Sequence, residues 1–130
     1  MRILVVDDDA IVIKSCRRIL EAEGFEVTTV PSADEALEKI KNYDFDLLLM
    51  DVKMPKHDGM FLMREIKKNW PDIPIVVMSG YPTPETIVDS LKLGAVQFIP
   101  KPFRPDELMK TIRQVLQKVS SRKSFPTGAG

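Results

Sequence analysis

The stretch MRILVVDDDA, residues 1–10, places three consecutive aspartates directly after a run of apolar residues. Residues 3–6 predict a short strand that is buried on both faces, because such strands carry continuous apolar residues. Two carboxylates about 4 Å apart repel each other by roughly 4 kcal/mol at an effective dielectric constant near 20, so this edge needs a cation, a proton or abundant water. The aspartate cluster is therefore a candidate cation site. In the alternative interpretation, Asp9 caps a following helix and the other two carboxylates are simply hydrated.

The size and charge of the chain favour one globular domain and exclude several classes of partner. The chain has 130 residues, 44% of them apolar, and a formal net charge of zero. This charge gives no reason to expect direct binding of nucleic acid or of an anionic membrane. The single cysteine, Cys16, cannot form an internal disulfide, and no apolar run approaches the ~20 residues that cross a bilayer. We expect a cytoplasmic protein.

Apolar runs alternate with segments of helical period along the whole chain. The runs are RILVVD, FEVTTV, FDLLLMD, IPIVVMS and VQFIP. Ser32 with Glu35 has the spacing of a capping box, Thr83 precedes a proline suited to the first helical position, and Gly24 and Gly94 stand where helices should end. This alternation predicts an α/β fold with a mostly parallel sheet covered on both faces.

Polar residues follow four of the predicted strands. Asp7 and Asp8 follow the first strand, and Asp51, Ser79 and Lys101 follow the third, fourth and fifth. In a parallel sheet these positions meet at one edge, where ligands bind. Carboxylates there suit Mg²⁺, while an ammonium and a hydroxyl suit phosphoryl oxygens. Asp51 stands alone at its strand end and is the better candidate for a nucleophile that accepts a phosphoryl group.

The motifs LVVDDD, LLLMDVKMPKHDG, VVMSG and FIPKPF resemble those of the response-regulator receiver domain of two-component signalling. The resemblance covers residues 1–120 and implies a doubly wound, flavodoxin-like fold with a five-stranded parallel sheet in the order 2-1-3-4-5 and five helices. It also implies that Asp51 accepts a phosphoryl group from a histidine kinase or phosphotransfer protein. The implied Mg²⁺ ligands are Asp51, Asp8, Asp7 through water and the backbone carbonyl of Lys53.

The resemblance further implies a switch. Ser79 and Lys101 would contact the phosphoryl oxygens, and Phe98 would turn into the space that Ser79 leaves. This would repack the surface of the fourth helix, fifth strand and fifth helix, residues 84–119, for an output domain, a partner protein or a homodimer formed on phosphorylation. The bond before Pro102 is expected to be cis. Residues 121–130 are expected to be a flexible tail or a truncated linker.

Two other classes compete with this interpretation. In a haloacid-dehalogenase-like phosphatase, Asp7 would be the nucleophile and Asp9 the general acid, but that family needs a further acidic cluster on a strand after the lysine, where this sequence predicts only a helix. An interaction module that works without phosphorylation is disfavoured because every residue that the phosphorylation chemistry needs is present.

Overall fold

Strands and helices alternate along the chain in the computed structural model, which describes residues 1–52, 59–80 and 83–129 and, within these ranges, the side chains up to residue 118. The strands are β1 (Arg2–Val6), β2 (Glu26–Val30), β3 (Leu47–Asp51), β4 (Ile75–Ser79) and β5 (Gln97–Pro100). The helices are α1 (Ala10–Ala22), α2 (Ala33–Asn42), α3 (Gly59–Asn69), α4 (Pro84–Lys92) and α5 (Pro105–Ala129).

All strand pairs of the sheet are parallel, and the spatial order is β2-β1-β3-β4-β5. Both the fold class and the strand order predicted above are confirmed. The register pairs Val6 with Met50, Asp51 with Met78 and Ser79 with Pro100. The carboxyl ends of β1, β3, β4 and β5 therefore lie side by side, so residues distant in sequence meet at one edge.

The sheet separates two apolar layers. Leu4 and Val6 of β1 pack in the layer formed by α2 and α3, and Ile3 and Val5 pack in the layer formed by α1 and α5. These four residues are fully buried. The continuous apolar run of β1 thus has the predicted cause, which is coverage of both faces. Burying each such side chain stabilises the fold by about 1.5–3 kcal/mol, which makes the sheet a firm base for the groups at its edge.

The predicted helix ends are present. The hydroxyls of Ser32 and Thr83 accept hydrogen bonds from the N–H groups of Glu35 and Thr86 at the starts of α2 and α4. Gly24 (φ 90°) and Gly94 (φ 107°) adopt the left-handed conformation just after α1 and α4, where a side chain would be strained. Local sequence signals therefore determine where these helices begin and end.

The helix α4 buries fewer of its described residues than the other helices do. Ser90 is the residue of α4 that is buried, whereas Val88 and Leu91 expose about half of their surface (47% and 49%).

Within the described part of the chain, none of the helices combines the length and the apolar character that crossing a bilayer requires.

The last helix follows the predicted apolar stripe. Its side chains at Leu108, Ile112, Val115 and Leu116 are buried in the α1–α5 layer. The backbone of α5 is helical as far as Ala129, beyond residue 120, where the sequence analysis places the end of the domain. The division into a domain, residues 1–120, and a flexible tail, residues 121–130, stays a prediction.

Candidate functional site

Four strand ends bring the predicted site residues together at the carboxyl edge of the sheet. Asp7 follows β1, Asp51 and Ser79 end β3 and β4, and Lys101 follows β5. Asp7 and Ser79 are fully buried, Asp51 is 6% exposed and the Lys101 side chain is 17% exposed. Burial of Asp7, Asp51 and Ser79 at one edge is unusual unless these polar groups are paired with one another, with Lys101 or with a ligand.

The Lys101 ammonium bridges two of the carboxylates. Its Nζ donates hydrogen bonds to Oδ2 of Asp7 and to Oδ2 of Asp51, both at 3.0 Å. The other oxygen of Asp7 accepts a hydrogen bond of 2.9 Å from the backbone N–H of Asp9. Both oxygens of the buried Asp7 are therefore bonded, and its carboxylate is held in one orientation. The ion pairs of Lys101 therefore connect the carboxyl ends of β1, β3 and β5.

Burial and charge shift the acid–base properties of this cluster. Burial raises the pKa of Asp7, and the nearby Asp51 charge adds to the increase, while the Asp9 N–H and Lys101 oppose it. Burial by itself would lower the pKa of Lys101, but the hydrogen bonds and charges of Asp51 and Asp7 outweigh it and the pKa is raised. Lys101 therefore stays protonated, and Asp7 carries its negative charge at a cost in free energy.

The third carboxylate, Asp8, completes a set of oxygens that could hold a cation. Asp7, Asp8 and Asp51 each contribute one carboxylate oxygen, and these three oxygens lie within 4.8 Å of one another. Asp7 and Asp51 are buried and Asp8 is exposed, so the set opens toward solvent on the Asp8 side. A small group of hard oxygen ligands with access to water fits Mg²⁺, which retains several of its waters. Lys53, predicted to contribute a backbone carbonyl, lies outside the described residues.

The Asp9 side chain caps helix α1 and is not one of the three carboxylates in the acidic set. Its carboxylate accepts a 2.9 Å hydrogen bond from the Ile11 N–H and forms the N-cap of α1. This agrees with the capping interpretation of the opening stretch. It also gives the carboxylate a structural role where the phosphatase interpretation would need a general acid. The Asp9 N–H meanwhile orients Asp7, so the start of α1 and the site are built from the same turn.

Ser79 and Lys101 are neighbours through the backbone as well. The Lys101 N–H donates a 2.8 Å hydrogen bond to the Ser79 carbonyl. The peptide bond between Lys101 and Pro102 is cis, the isomer that the resemblance implied. Phe98 lies three residues earlier in β5, is partly buried and packs against the α2–α3 layer. The phosphoryl contacts of Ser79 and Lys101 and the switching role of Phe98 stay predictions.

Gly59 is a residue next to the site whose role is not evident from the sequence. A Cβ atom at this position would lie 2.6 Å from the Cα of Val52 and 2.9 Å from the backbone oxygen of Asp51. The first turn of α3 can approach the end of β3 this closely only because residue 59 lacks a side chain. The sequence shows a glycine in a turn-like segment, but the contact depends on how α3 packs on β3.

The fold and the site together define a class. This is a doubly wound α/β domain whose sheet edge carries an acidic cation site, a bridging lysine and a buried serine. The chain matches the response regulator receiver domain model over residues 3–113 and belongs to this family. It is therefore a signalling domain of two-component systems, a class that is phosphorylated on aspartate.

Individual relatives agree with this family. The chain is 38% identical over 119 residues to the transcriptional regulatory protein ZraR of Escherichia coli K12, covering 92% of this chain and 27% of ZraR. A CheY-like receiver domain from Methanospirillum hungatei has a similar structure (TM-score 0.89, 38% identity, covering 93% of this chain and 97% of that one). The beryllofluoride-activated NtrC4 receiver domain dimer is also similar (TM-score 0.86, 36% identity, covering 91% of this chain and 98% of that one). The chain thus spans about a quarter of the length of ZraR and nearly all of the two receiver structures.

Substitutions at Asp9 should separate a capping role from a catalytic one. We expect Asp9→Ala to lower the free energy of unfolding by about 1 kcal/mol, because α1 loses its N-cap. Asp9→Asn should keep nearly all of the stability, since asparagine caps equally well, and both variants should still be phosphorylated. Urea denaturation and labelling with acetyl phosphate measure the two effects. A fully stable Asp9→Asn protein that had lost its phosphoryl chemistry would contradict the capping role.

Neutralising Asp7 should stabilise the domain in the absence of divalent cations. Because the folded-state pKa of Asp7 is raised, its charged form costs free energy at neutral pH. We expect Asp7→Asn to raise the free energy of unfolding at pH 7 by on the order of 1 kcal/mol, the usual scale of a single substitution. This advantage should shrink as the pH falls through the raised pKa, where wild-type Asp7 becomes neutral too.

Adding Mg²⁺ should reverse the order of the two proteins. Binding stabilises only a protein that keeps the ligand set, so Mg²⁺ should raise the unfolding temperature of wild type much more than that of Asp7→Asn. Thermal unfolding with EDTA and with millimolar Mg²⁺ tests this. An Asp7→Asn protein that is less stable than wild type in EDTA would show that Asp7 contributes to folding as an ion-pair partner of Lys101 instead.

Proposed function

We propose that this chain is a receiver that accepts a phosphoryl group on Asp51 in a Mg²⁺-dependent reaction and relays the change to an output. The observation that carries this assignment is the position of Asp51. It is a carboxylate at the end of β3, it is 6% exposed, and it accepts a 3.0 Å hydrogen bond from the Lys101 ammonium. One of its oxygens also lies within 4.8 Å of oxygens of Asp7 and Asp8, so a nucleophile in this position is close both to a positive charge and to a candidate cation site.

The chemistry would proceed by in-line displacement at phosphorus. A carboxylate oxygen of Asp51 forms the new P–O bond, and the donor's P–N or P–O bond breaks with its electron pair leaving on the donor. Mg²⁺, bound by Asp7, Asp8 and Asp51, would neutralise charge on the transferring group. The chain's own contribution is to hold the carboxylate still and to present Lys101 and Ser79 toward the phosphoryl oxygens. The domain would thus catalyse only its own phosphorylation and dephosphorylation.

Lys101 would then exchange one partner for another. Before phosphorylation its ammonium is bonded to Asp51 Oδ2, the same carboxylate that receives the phosphoryl group. Its bond to Asp7 would stay, and the bond to Asp51 would pass to a phosphoryl oxygen, which is also anionic. The added negative charge is therefore met by a cation already in place, so little reorganisation is needed at the moment of transfer.

Labelling with a small phosphodonor tests the assignment. We expect wild-type protein with acetyl phosphate and Mg²⁺ to gain one phosphoryl group, detected by mass spectrometry of the intact chain, and EDTA to prevent it. Asp51→Asn should gain none, and Asp9→Asn serves as the control that retains labelling. Labelling of Asp51→Asn at the wild-type rate would contradict the choice of nucleophile, and turnover of phosphate esters that depends on Asp7 would support the phosphatase alternative.

The donor would be a histidine kinase or a phosphotransfer protein that contacts the start of α1. Ile11 is 76% exposed in the first turn of this helix, two residues after the Asp9 cap. Asp8, the exposed member of the acidic set, directly precedes the Asp9 cap of the same helix. An apolar side chain on the approach to a charged site suits the centre of a protein contact more than open solvent.

Replacing Ile11 should separate docking from chemistry. We expect Ile11→Ala to slow phosphotransfer from the kinase that labels wild type fastest by about tenfold, the loss of roughly 1.4 kcal/mol of contact energy. Labelling by acetyl phosphate should not change. Val88→Ala, a similar truncation on α4, is the matched control. Equal loss with acetyl phosphate would place the Ile11 effect in the site, and equal loss in Val88→Ala would place docking elsewhere.

The output would be controlled through the surface formed by α4, β5 and α5. Val88, Leu91 and Val96 are each about half exposed there (47%, 49% and 50%). Phe98 of β5 is partly buried and packs against the α2–α3 layer. A change at Ser79 that lets Phe98 turn inward would alter this surface with little movement of the core. The partner would be an output domain, another protein or a second receiver. The NtrC4 receiver is a dimer in its beryllofluoride-activated state, which supports the last possibility.

A further inference from the structure

One edge of the sheet is formed by β2. Its residues Glu26 and Val30 form hydrogen bonds toward β1, which leaves the backbone groups of Val27 and Thr29 on the other side. The Glu26 N–H donates to the Met1 carbonyl at 2.9 Å, and the Asp7 N–H donates to the Val30 carbonyl at 3.2 Å. Hydrogen-bonding sides alternate along a strand, so the N–H and C=O groups of Val27 and Thr29 point to the free edge. Such an edge is a template for another strand.

The composition of β2 makes this edge suited to pairing. Its sequence is EVTTV, in which four consecutive residues are β-branched, and it contains neither the proline nor the lysine that commonly protect edge strands. The opposite edge strand, β5, has Pro100 among its four residues, and proline has no N–H to offer a partner strand. The two edges of the sheet are thus protected differently.

An arginine from α1 covers the β2 edge. Arg17 donates from Nη1 to the Val27 carbonyl at 3.4 Å and from Nη2 to the Thr29 hydroxyl at 3.0 Å. A third hydrogen bond, 3.3 Å from Nη1 to Glu21, holds the guanidinium from the helix side. The planar guanidinium can reach several acceptors at once, which an ammonium cannot do in the same geometry. A free-edge carbonyl is therefore already occupied within the chain.

We propose that Arg17 protects the β2 edge and that, without this contact, β2 pairs antiparallel with β2 of a second copy of this chain. A two-fold axis at Thr28 would set Val27 of one copy opposite Thr29 of the other, so that their outward N–H and C=O groups pair. This register places Thr28 opposite its own copy and no like charges opposite each other, since Glu26 falls opposite Val30. The proposal concerns an edge away from the phosphorylation site and does not depend on the proposed function.

Sedimentation velocity of unphosphorylated, Mg²⁺-free protein tests the protective contact. We expect Arg17→Ala to associate at least roughly tenfold more strongly than wild type, because one carbonyl per copy becomes available for pairing. Arg18→Ala is the matched control: it removes the same charge from the neighbouring, exposed position of α1 and should behave as wild type. Circular dichroism verifies that the variants are folded.

A cysteine at position 28 tests the register. Directly opposed residues of an antiparallel pair are close enough for a disulfide, so Thr28→Cys combined with Arg17→Ala should cross-link under mild oxidation, and combined with Arg18→Ala it should not. The native Cys16 is fully buried and does not compete. If Arg17→Ala fails to fold, Thr29→Val, which removes the anchoring hydroxyl but leaves α1 intact, replaces it. Folded variants that stay monomeric, or that associate without cross-linking at residue 28, would overturn the proposal.

Discussion

The interaction on which the site depends is the bridge from the Lys101 ammonium to Asp7 and Asp51. Two buried carboxylates at adjacent strand ends repel each other strongly in a medium of low dielectric constant, and a cation between them makes the arrangement stable. Because Lys101 follows β5, Asp7 follows β1 and Asp51 ends β3, this bridge spans most of the sheet's carboxyl edge. Its geometry follows from the strand order β2-β1-β3-β4-β5, which places the carboxyl ends of these strands at one edge, while the two apolar layers bury both faces of the sheet.

This arrangement connects stability to function. The negative charge that costs free energy in the metal-free domain is also the charge that the proposed cation site and phosphoryl acceptor require. The raised pKa of Asp7 shows this conflict. The firm core under the edge, with β1 and β3 fully covered, is what allows the domain to hold such a cluster.

The sequence predicted the fold and the site membership well, for identifiable reasons. Apolar runs, capping residues and glycines predict where the strands and helices lie. Because the carboxyl ends of parallel strands meet at one edge of the sheet, the residues that follow the apolar runs are predicted to form one cluster. The fully buried Asp7 and Ser79 were found in this way. The capping role of Asp9 was visible as well, since the residue stands directly before a helical period.

Contacts between elements were not visible in the sequence. The close approach of Gly59 to the backbone of Val52 depends on how α3 packs, and the reach of Arg17 to the β2 edge depends on the distance between a helix and a strand. Arginine is common on helices, and a glycine in a turn-like segment does not reveal which backbone it will approach. The backbone carbonyl of Lys53 stays a predicted metal ligand because Lys53 lies outside the described residues. The flexible tail, residues 121–130, stays a prediction as well.

A crystal structure of the domain with Mg²⁺ and beryllofluoride would show whether Asp51 is the phosphoryl acceptor next to the Lys101 bridge. We expect beryllium bonded to a carboxylate oxygen of Asp51, Mg²⁺ held by Asp7, Asp8 and Asp51, and the Lys101 ammonium moved from Asp51 to a fluorine while its hydrogen bond to Asp7 stays. Beryllofluoride on Asp7, or Mg²⁺ bound away from these carboxylates with Lys101 still bridging Asp7 and Asp51, would contradict it.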